Sequence, residues 1–328
     1  MKLHENATLF RQSIEFTAKQ MNLAPIYIEK DYWVTFALHA IFQNEIGDQT
    51  VFKGGTALSK CFGIIERFSE DIDLVVLRKD EETGNQLKTK LKKITNAVAK
   101  SLTEVEEPTI TNKRGMIRKV AFDYPKVFTG VFGQVRQFII IEASWLGRFE
   151  PFHKQFLSSY IFDMMSAAGQ EKLAEEYDMM PFEVQVLHVN RTICEKIMSL
   201  VRFSYGENPI EDLKKKIRHT YDLHQLLNLS EVGTFFESHE FAEMLLLVAN
   251  DDVESFKNGN SWLKYHPKEA LIFKDSENTW AEMEKTYLQE FSNLVYGKLP
   301  TANEILDTLK QISNRIQTID WKIDFRIS

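Results

Sequence analysis

Two carboxylates two residues apart, Asp71 and Asp73, close a stretch that opens on Lys53-Gly54-Gly55-Thr56-Ala57-Leu58-Ser59-Lys60 and runs through Arg67-Phe68-Ser69-Glu70. On a strand, residues two apart leave the same face, so the two charges would stand together. At roughly 6 Å and an effective dielectric near 20 they repel by about 2–3 kcal/mol. A divalent cation relieves that repulsion, and Mg²⁺ favours one or two carboxylates completed by substrate phosphates. Gly54 and Gly55 supply the phosphate side: they follow a short apolar strand and let the backbone approach a bulky anion. The helix after them aims unpaired N–H groups and its dipole at the same spot. A lone Gly-Gly is usually a turn and a lone Asp-x-Asp a solvated strand end. Specificity comes from the order strand, Gly-Gly-Thr, helix, Asp-x-Asp strand, which predicts metal-assisted chemistry on a nucleoside triphosphate.

Several elements must hold these residues. Residues 7–45 read as helical, with Ile14, Ala18, Met21 and then Tyr32, Phe36, Ala40 at helical spacing and Pro25 between two helices. A strand at 50–53 stops at the glycines, a short helix follows at 56–63, and 71–77 alternates before turning apolar, as a strand entering a core does. Residues 84–103 form a lysine-rich helix. Segments 119–124 and 135–141 read as antiparallel strands joined by a turn at 130–133. Past about residue 165 every periodic segment reads as helical. The expectation is an α+β chain: a small mixed domain with N-terminal helices over 1–165, packed against a mostly helical domain over 166–328.

Composition narrows the class. In 328 residues, 44% are hydrophobic and 27% charged, which excludes disorder for most of the length. Two cysteines cannot build a disulfide framework, and with no apolar run near the roughly 20 residues of a membrane span the expected home is the cytoplasm, with no membrane partner. Met1-Lys2-Leu3-His4-Glu5-Asn6 lacks the apolar centre of a signal peptide. A net charge of −7 disfavours a protein whose main task is to coat nucleic acid. The basic stretches 88–93, 113–119 and 214–218 are solvated faces by default that together could line a groove for a nucleic-acid backbone. Cys61 and Cys194 look like small core residues, and His219 and His224 like helix-surface residues. Ser69 has acidic neighbours and no histidine close in sequence, so it reads as shaping the turn before Asp71.

The passage resembles the nucleotidyltransferases of the AbiEii/AbiGii toxin family, within the polymerase-β-like superfamily. Residues 53–58 and 67–74 look like that family's first two motifs, and Glu29-Lys30-Asp31-Tyr32-Trp33 is similar to its lead-in helix. Farther on, Glu195-Lys196 with Arg202, then Arg218-His219-Thr220-Tyr221-Asp222-Leu223, resemble the third and fourth motifs. The resemblance implies a polymerase-β-like nucleotidyltransferase domain using Mg²⁺, with Mn²⁺ as an alternative, and an NTP as substrate. It implies metal ligation by Asp71, Asp73 and a third carboxylate on a neighbouring strand, for which Glu142 is the best candidate and Asp123 the fallback. Lys53, Gly54, Gly55, Thr56, Arg67, Ser69, Lys196, Arg202 and Arg218 would bind the nucleotide, with Lys196 on the triphosphate and Asp222 orienting the reacting group or the lysine.

Spacing alone reads these last residues more plainly. Val189, Ile193, Ile197 and Leu200 form a buried helical stripe with Lys196 at its border, where a long cation can snorkel or reach into a cleft. Arg218 and Asp222, four apart, share a helix face as a surface ion pair does. In biological terms the resemblance implies the toxin of a toxin–antitoxin or phage-defence system, neutralised by a separately encoded antitoxin, with RNA, tRNA in particular, as acceptor. Two alternatives stand beside it: a protein or small-molecule hydroxyl as acceptor, and a nucleotide-binding regulatory module without turnover.

Overall fold

The computed structural model describes residues 1–130, 135–256 and 259–325. Contacts divide the chain into two compact units: Met1–Trp145 with Phe152–Leu187, and Leu146–Pro151 with His188–Ser328. In the first unit, α1 (Ala7–Met21) is capped by Asn6, whose side chain accepts from the Leu9 N–H, and α2 (Pro25–Phe42) starts on the proline that pre-sets its first turn. Then come β1 (Thr50–Lys53), α3 (Gly54–Lys60), β2 (Ile72–Val76), α4 (Gly84–Ala99), β3 (Thr103–Val105), β4 (Ile117–Asp123), β5 (Ile139–Ser144) and β6 (Phe152–Leu157). The unit ends with α5 (Tyr160–Ala167), α6 (Glu171–Glu176) and β7 (Phe182–Leu187).

The strands form one seven-stranded sheet in the order β3-β4-β5-β2-β1-β7-β6. Pairing is mixed: β2 runs parallel to β5, and β1 parallel to β7, while β1–β2, β3–β4, β4–β5 and β6–β7 are antiparallel. Both faces are covered where the inner strands are apolar; Val51, Leu74, Val75, Val120, Ile140 and Ile141 are all buried. α2 and α4 supply much of that cover. The antiparallel pair expected near 119–124 and 135–141 is β4–β5, while residues 131–133 of the expected turn lie outside the described residues.

One expectation is overturned. Residues beyond 165 are not all helical, because Phe182-Glu183-Val184-Gln185-Val186-Leu187 alternates with a period of two and pairs with β6 and β1 as β7. The first unit therefore extends to Leu187 instead of ending at 165.

The second unit is helical among its described residues: α7 (Val189–Phe203), α8 (Pro209–Lys214), α9 (Ile217–Leu227), α10 (Ser230–Glu237), α11 (His239–Ser255), α12 (Leu271–Lys274), α13 (Ser276–Gln289) and α14 (Ala302–Ile316). Its core gathers Ile193, Ile197 and Leu200 of α7, Tyr221 of α9, Leu245 of α11 and Leu309 of α14. A capping box of Thr301 and Glu304 starts α14.

Candidate active site

The strand register lines up four charged residues across the sheet. Lys53 of β1 pairs with Asp73 of β2, Asp73 with Glu142 of β5, and Glu142 with Lys119 of β4. Paired residues on neighbouring strands share a face, so the row reads cation, carboxylate, carboxylate, cation. Asp71 stands just outside β2 and is half-buried. Burial, then the nearby charges of Asp71 and Glu142, push the Asp73 carboxyl from its ordinary 3.8 up to about 7, against the pull of Lys53 and Lys119. Three carboxylates therefore act on one another here, which is the setting a divalent cation would relieve.

The glycine turn is fitted to this row. Gly54 has φ +82°, and a Cβ there would stand 2.4 Å from Asp73 Oδ2. A side chain at 54 would thus meet both backbone strain and the carboxylate. At Gly55 a Cβ would stand 2.5 Å from an Arg67 guanidinium nitrogen and 3.2 Å from Ser69 Oγ. Arg67 is buried beneath the turn and donates to the Phe68 carbonyl at 3.1 Å; Thr56 and Ser69 share a hydroxyl contact at 3.0 Å. Arg67, Ser69 and the Thr56 side chain thus support the turn from below, while Gly54 and Gly55 form its surface. The helix α3 begins at Gly54, two residues before the expected start.

Glu142 lies in the row, but its carboxylate is engaged: Lys119 Nζ donates to Oε2 at 2.6 Å. Among the described residues, no three His, Cys, Asp or Glu side chains stand close enough to hold a metal ion together. Asp71 and Asp73, hard oxygen donors beside the glycine turn, still fit Mg²⁺, which is content with two carboxylates and substrate oxygens. The fallback, Asp123, is removed by register. β4 runs antiparallel to β5, so Asp123 stands four residues along from Lys119, about 13 Å away from the row, and its carboxylate is held by Lys126.

In the second unit Lys196 donates to Asp222 Oδ2 at 2.6 Å, with side-chain exposures of 6% and 0%. Lys196 is thus sealed against Asp222, not placed at a wet border of the stripe as its spacing suggests. Arg202 stacks its guanidinium over Phe203 and Phe256, and Arg218 is half-buried on α9. Other readings also shift. Cys194 is buried, but Cys61 only half so. His224 is half-buried and shares a 2.8 Å contact with Thr308 Oγ1, and His219 is half-buried, so neither is an open surface residue. Lys90 is buried within 2.5 Å of Glu82 and donates to the Leu77 carbonyl, so it leaves the solvated basic stretch 88–93.

Sequence reasoning placed Glu29, Lys30 and Asp31 in a lead-in helix but missed that they, with Arg191, form a buried charged set. In α2, Glu29, Lys30 and Asp31 are all buried. Glu29 accepts from the Val127 and Phe128 N–H groups at 2.5 and 3.0 Å, Lys30 donates to the Arg136 carbonyl, and Asp31 binds Lys60 of α3 and accepts from the Tyr160 N–H at 2.8 Å. Arg191 of α7, also buried, pairs with Asp251 at 2.5 Å and Glu195 at 3.2 Å. Glu195 stands at the local i,i+4 spacing from Arg191, but the other partners lie 29 to 129 positions away, which no local pattern announces.

A family model described as "Nucleotidyl transferase AbiEii toxin, Type IV TA system" matches residues 37–312. No curated protein sequence matches the chain. Among solved structures, MenT4, a nucleotidyltransferase toxin from Mycobacterium tuberculosis H37Rv, is similar at a TM-score of 0.58 and 13% identity, over 94% of this chain and 90% of that one. At that identity the likeness shows the fold alone. The family match spans most of the chain, takes in both the glycine turn and the Asp-x-Asp strand, and agrees with the mixed sheet followed by helices. The chain belongs to the AbiEii nucleotidyltransferase toxin family of type IV toxin–antitoxin systems.

Proposed function

We propose that this toxin transfers a nucleotidyl group from an NTP to a hydroxyl of RNA, with tRNA as the preferred class of acceptor. The observation that carries the chemistry is the close approach of the Gly54 backbone to Asp73, where no side chain could stand, beside a carboxylate that burial and like charge make costly to ionise alone. In the reaction the acceptor oxygen forms a bond to the α-phosphorus, the bond from that phosphorus to the bridging oxygen of pyrophosphate breaks, and the hydroxyl proton passes to a carboxylate of the row. Asp71 and Asp73 would hold Mg²⁺, or Mn²⁺, which supplies charge stabilisation for the leaving oxygen and orients the phosphates. The Gly54-Gly55 turn, stiffened by Arg67 and by the Thr56–Ser69 contact, seats the triphosphate. Lys53 stands beside Asp73 in the row and contributes positive charge at the same edge. Lys196 is assigned to phosphate handling and Asp222 to holding it; this assignment rests on the family motif and on their 2.6 Å contact.

RNA is favoured by the exposed Lys88, Lys92 and Lys93 on α4. The second reading, a protein or small-molecule hydroxyl, is favoured by internal pairing elsewhere: Lys113 with Glu104, Lys214 with Glu211 and Lys215 with Asp212. Toxicity and release by a separately encoded antitoxin follow from the family and belong to the same proposal. Incubation with each α-labelled NTP and total cellular RNA or protein tests it. Label on RNA, lost in Asp73→Asn, supports the reading; label on protein alone moves the acceptor, and no transfer with any NTP overturns it.

A further inference from the structure

We propose that Lys119 is a resident counter-ion for Glu142, holding that carboxylate in the row beside Asp73 and setting how tightly the site takes a divalent cation. The inference rests on the nucleotidyl-transfer reading and deepens it. Its basis is register and contact. Lys119 and Glu142 are directly paired on β4 and β5, Glu142 is directly paired with Asp73, and the ammonium lies 2.6 Å from Oε2. The other oxygen, Oε1, has no hydrogen bond among the described residues. The side chains are 28% and 38% exposed, wet enough for the pair to open.

A cross-strand pair of that exposure ordinarily adds little to folding. Its position gives it another consequence. Glu142 stands directly beside Asp73 on the sheet and Lys119 directly beside Glu142, so the ammonium places a positive charge in the same row as the two carboxylates. An ammonium bound to Glu142 therefore does in part what a metal ion would do for the row, and competes with it. A cation arriving at Asp71 and Asp73 draws Glu142 toward itself, and the cost of that movement is the contact with Lys119. Lys119 is in this sense a positioning residue: it acts on the site through Glu142.

The test measures Mn²⁺ alone, without nucleotide, by the electron paramagnetic resonance of the free ion, on the full chain and on Lys119→Met, Glu142→Gln and the double variant. Lys119→Met should tighten Mn²⁺ binding by on the order of tenfold, because a nearby positive charge is lost and a carboxylate is released. In the Glu142→Gln background the same change should tighten it by no more than about twofold, since the partner through which Lys119 acts is gone. Lys119→Arg, which keeps the charge, should stay near the parent value. Lys119→Thr, well suited to a strand, carries the prediction of Lys119→Met should the latter fail to fold. Equal tightening with and without Glu142 would reduce Lys119 to a background charge and overturn the inference, as would no tightening. Asp73→Asn separates the layers. Mn²⁺ binding lost in Asp73→Asn but indifferent to Lys119 sinks this inference alone, whereas binding indifferent to Asp73 removes the metal site beneath it as well.

Discussion

Lys119–Glu142 and Lys60–Asp31 are the same chemical contact, an ammonium on a carboxylate, in opposite surroundings within one unit. The first stands on the sheet with side chains 28% and 38% exposed; the second is sealed at 1% and 1%. Water near the first screens it and lets either partner leave. Around the second, Asp31 also accepts from the Tyr160 N–H, Lys60 lies 5.0 Å from the Tyr160 ring centroid, and Ser59 shares a contact with the Tyr160 hydroxyl. Dry charges cannot part without leaving one of them unpaired in low dielectric, which costs several kcal/mol. The difference separates charges that can be exchanged for a substrate or ion from charges that fix where α3, and with it the glycine turn, must stand.

Five measurements break or sharpen that contrast. The largest effect belongs to the site itself: Asp71→Asn or Asp73→Asn should lower nucleotidyl transfer by orders of magnitude, while melting temperature holds or rises. Parent-like turnover in both variants would return the row to mere sheet chemistry. Next comes the sealed pair. Asp31→Ala should destabilise by about 3–5 kcal/mol in chemical denaturation, and replacing both partners with apolar residues, Asp31→Leu with Lys60→Met, should recover much of it. The same logic revises the expectation for Lys196. Because Asp222 is fully buried, Lys196→Ala should cost stability as well as NTP use, and a melting temperature unmoved by it would contradict the dry contact.

The fourth measurement is a pH series. The folded chain holds the Asp73 proton up to about pH 7, whereas the unfolded chain releases it near 3.8. The stabilisation from that proton is complete below about pH 4 and is lost as pH rises to 7. Asp73→Asn should therefore match the parent in melting temperature near pH 4 and exceed it by a few degrees at pH 8. A gap that shrinks with rising pH would reverse the sign and the argument. The smallest effect is expected at the exposed pair, where Glu142→Gln should change folding stability by less than about 1 kcal/mol. A loss comparable to that of Asp31→Ala would show that the two pairs do not differ as their exposure says.

How much of this the residue pattern discloses depends on distance along the chain. Pro25, the glycines after β1 and the run into Val75 and Val76 are local signals, and the elements stand where they point. The candidate site was legible through Gly54, Gly55, Asp71 and Asp73 because all four lie within 20 positions. β7 carried a local signal as well, the alternation of Val184, Val186 and their polar neighbours, but its six residues are short enough to be lost among helices. Lys119 could not be singled out, since only strand register tells which of Arg118 and Lys119 faces Glu142. The burial of Lys196 was not legible in its spacing, because a helical stripe says which face is buried, and not that a carboxylate 26 positions away is buried with it; only the resemblance had set Asp222 beside the lysine.

The three charged residues of α2 also bear on how the chain is made. Their partners are residues 60, 127, 128, 136 and 160, so Glu29, Lys30 and Asp31 are committed to the interior before most of what will neutralise them has been synthesised. A nascent chain that ends before residue 160 holds a helix with ionised side chains and no closed shell around them. Contacts of such long sequence separation form late and slow folding. A chain that stops short of Tyr160 carries the glycine turn and both aspartates but lacks the N–H that Asp31 accepts from, so the sealed pair that anchors α3 stays incomplete in it.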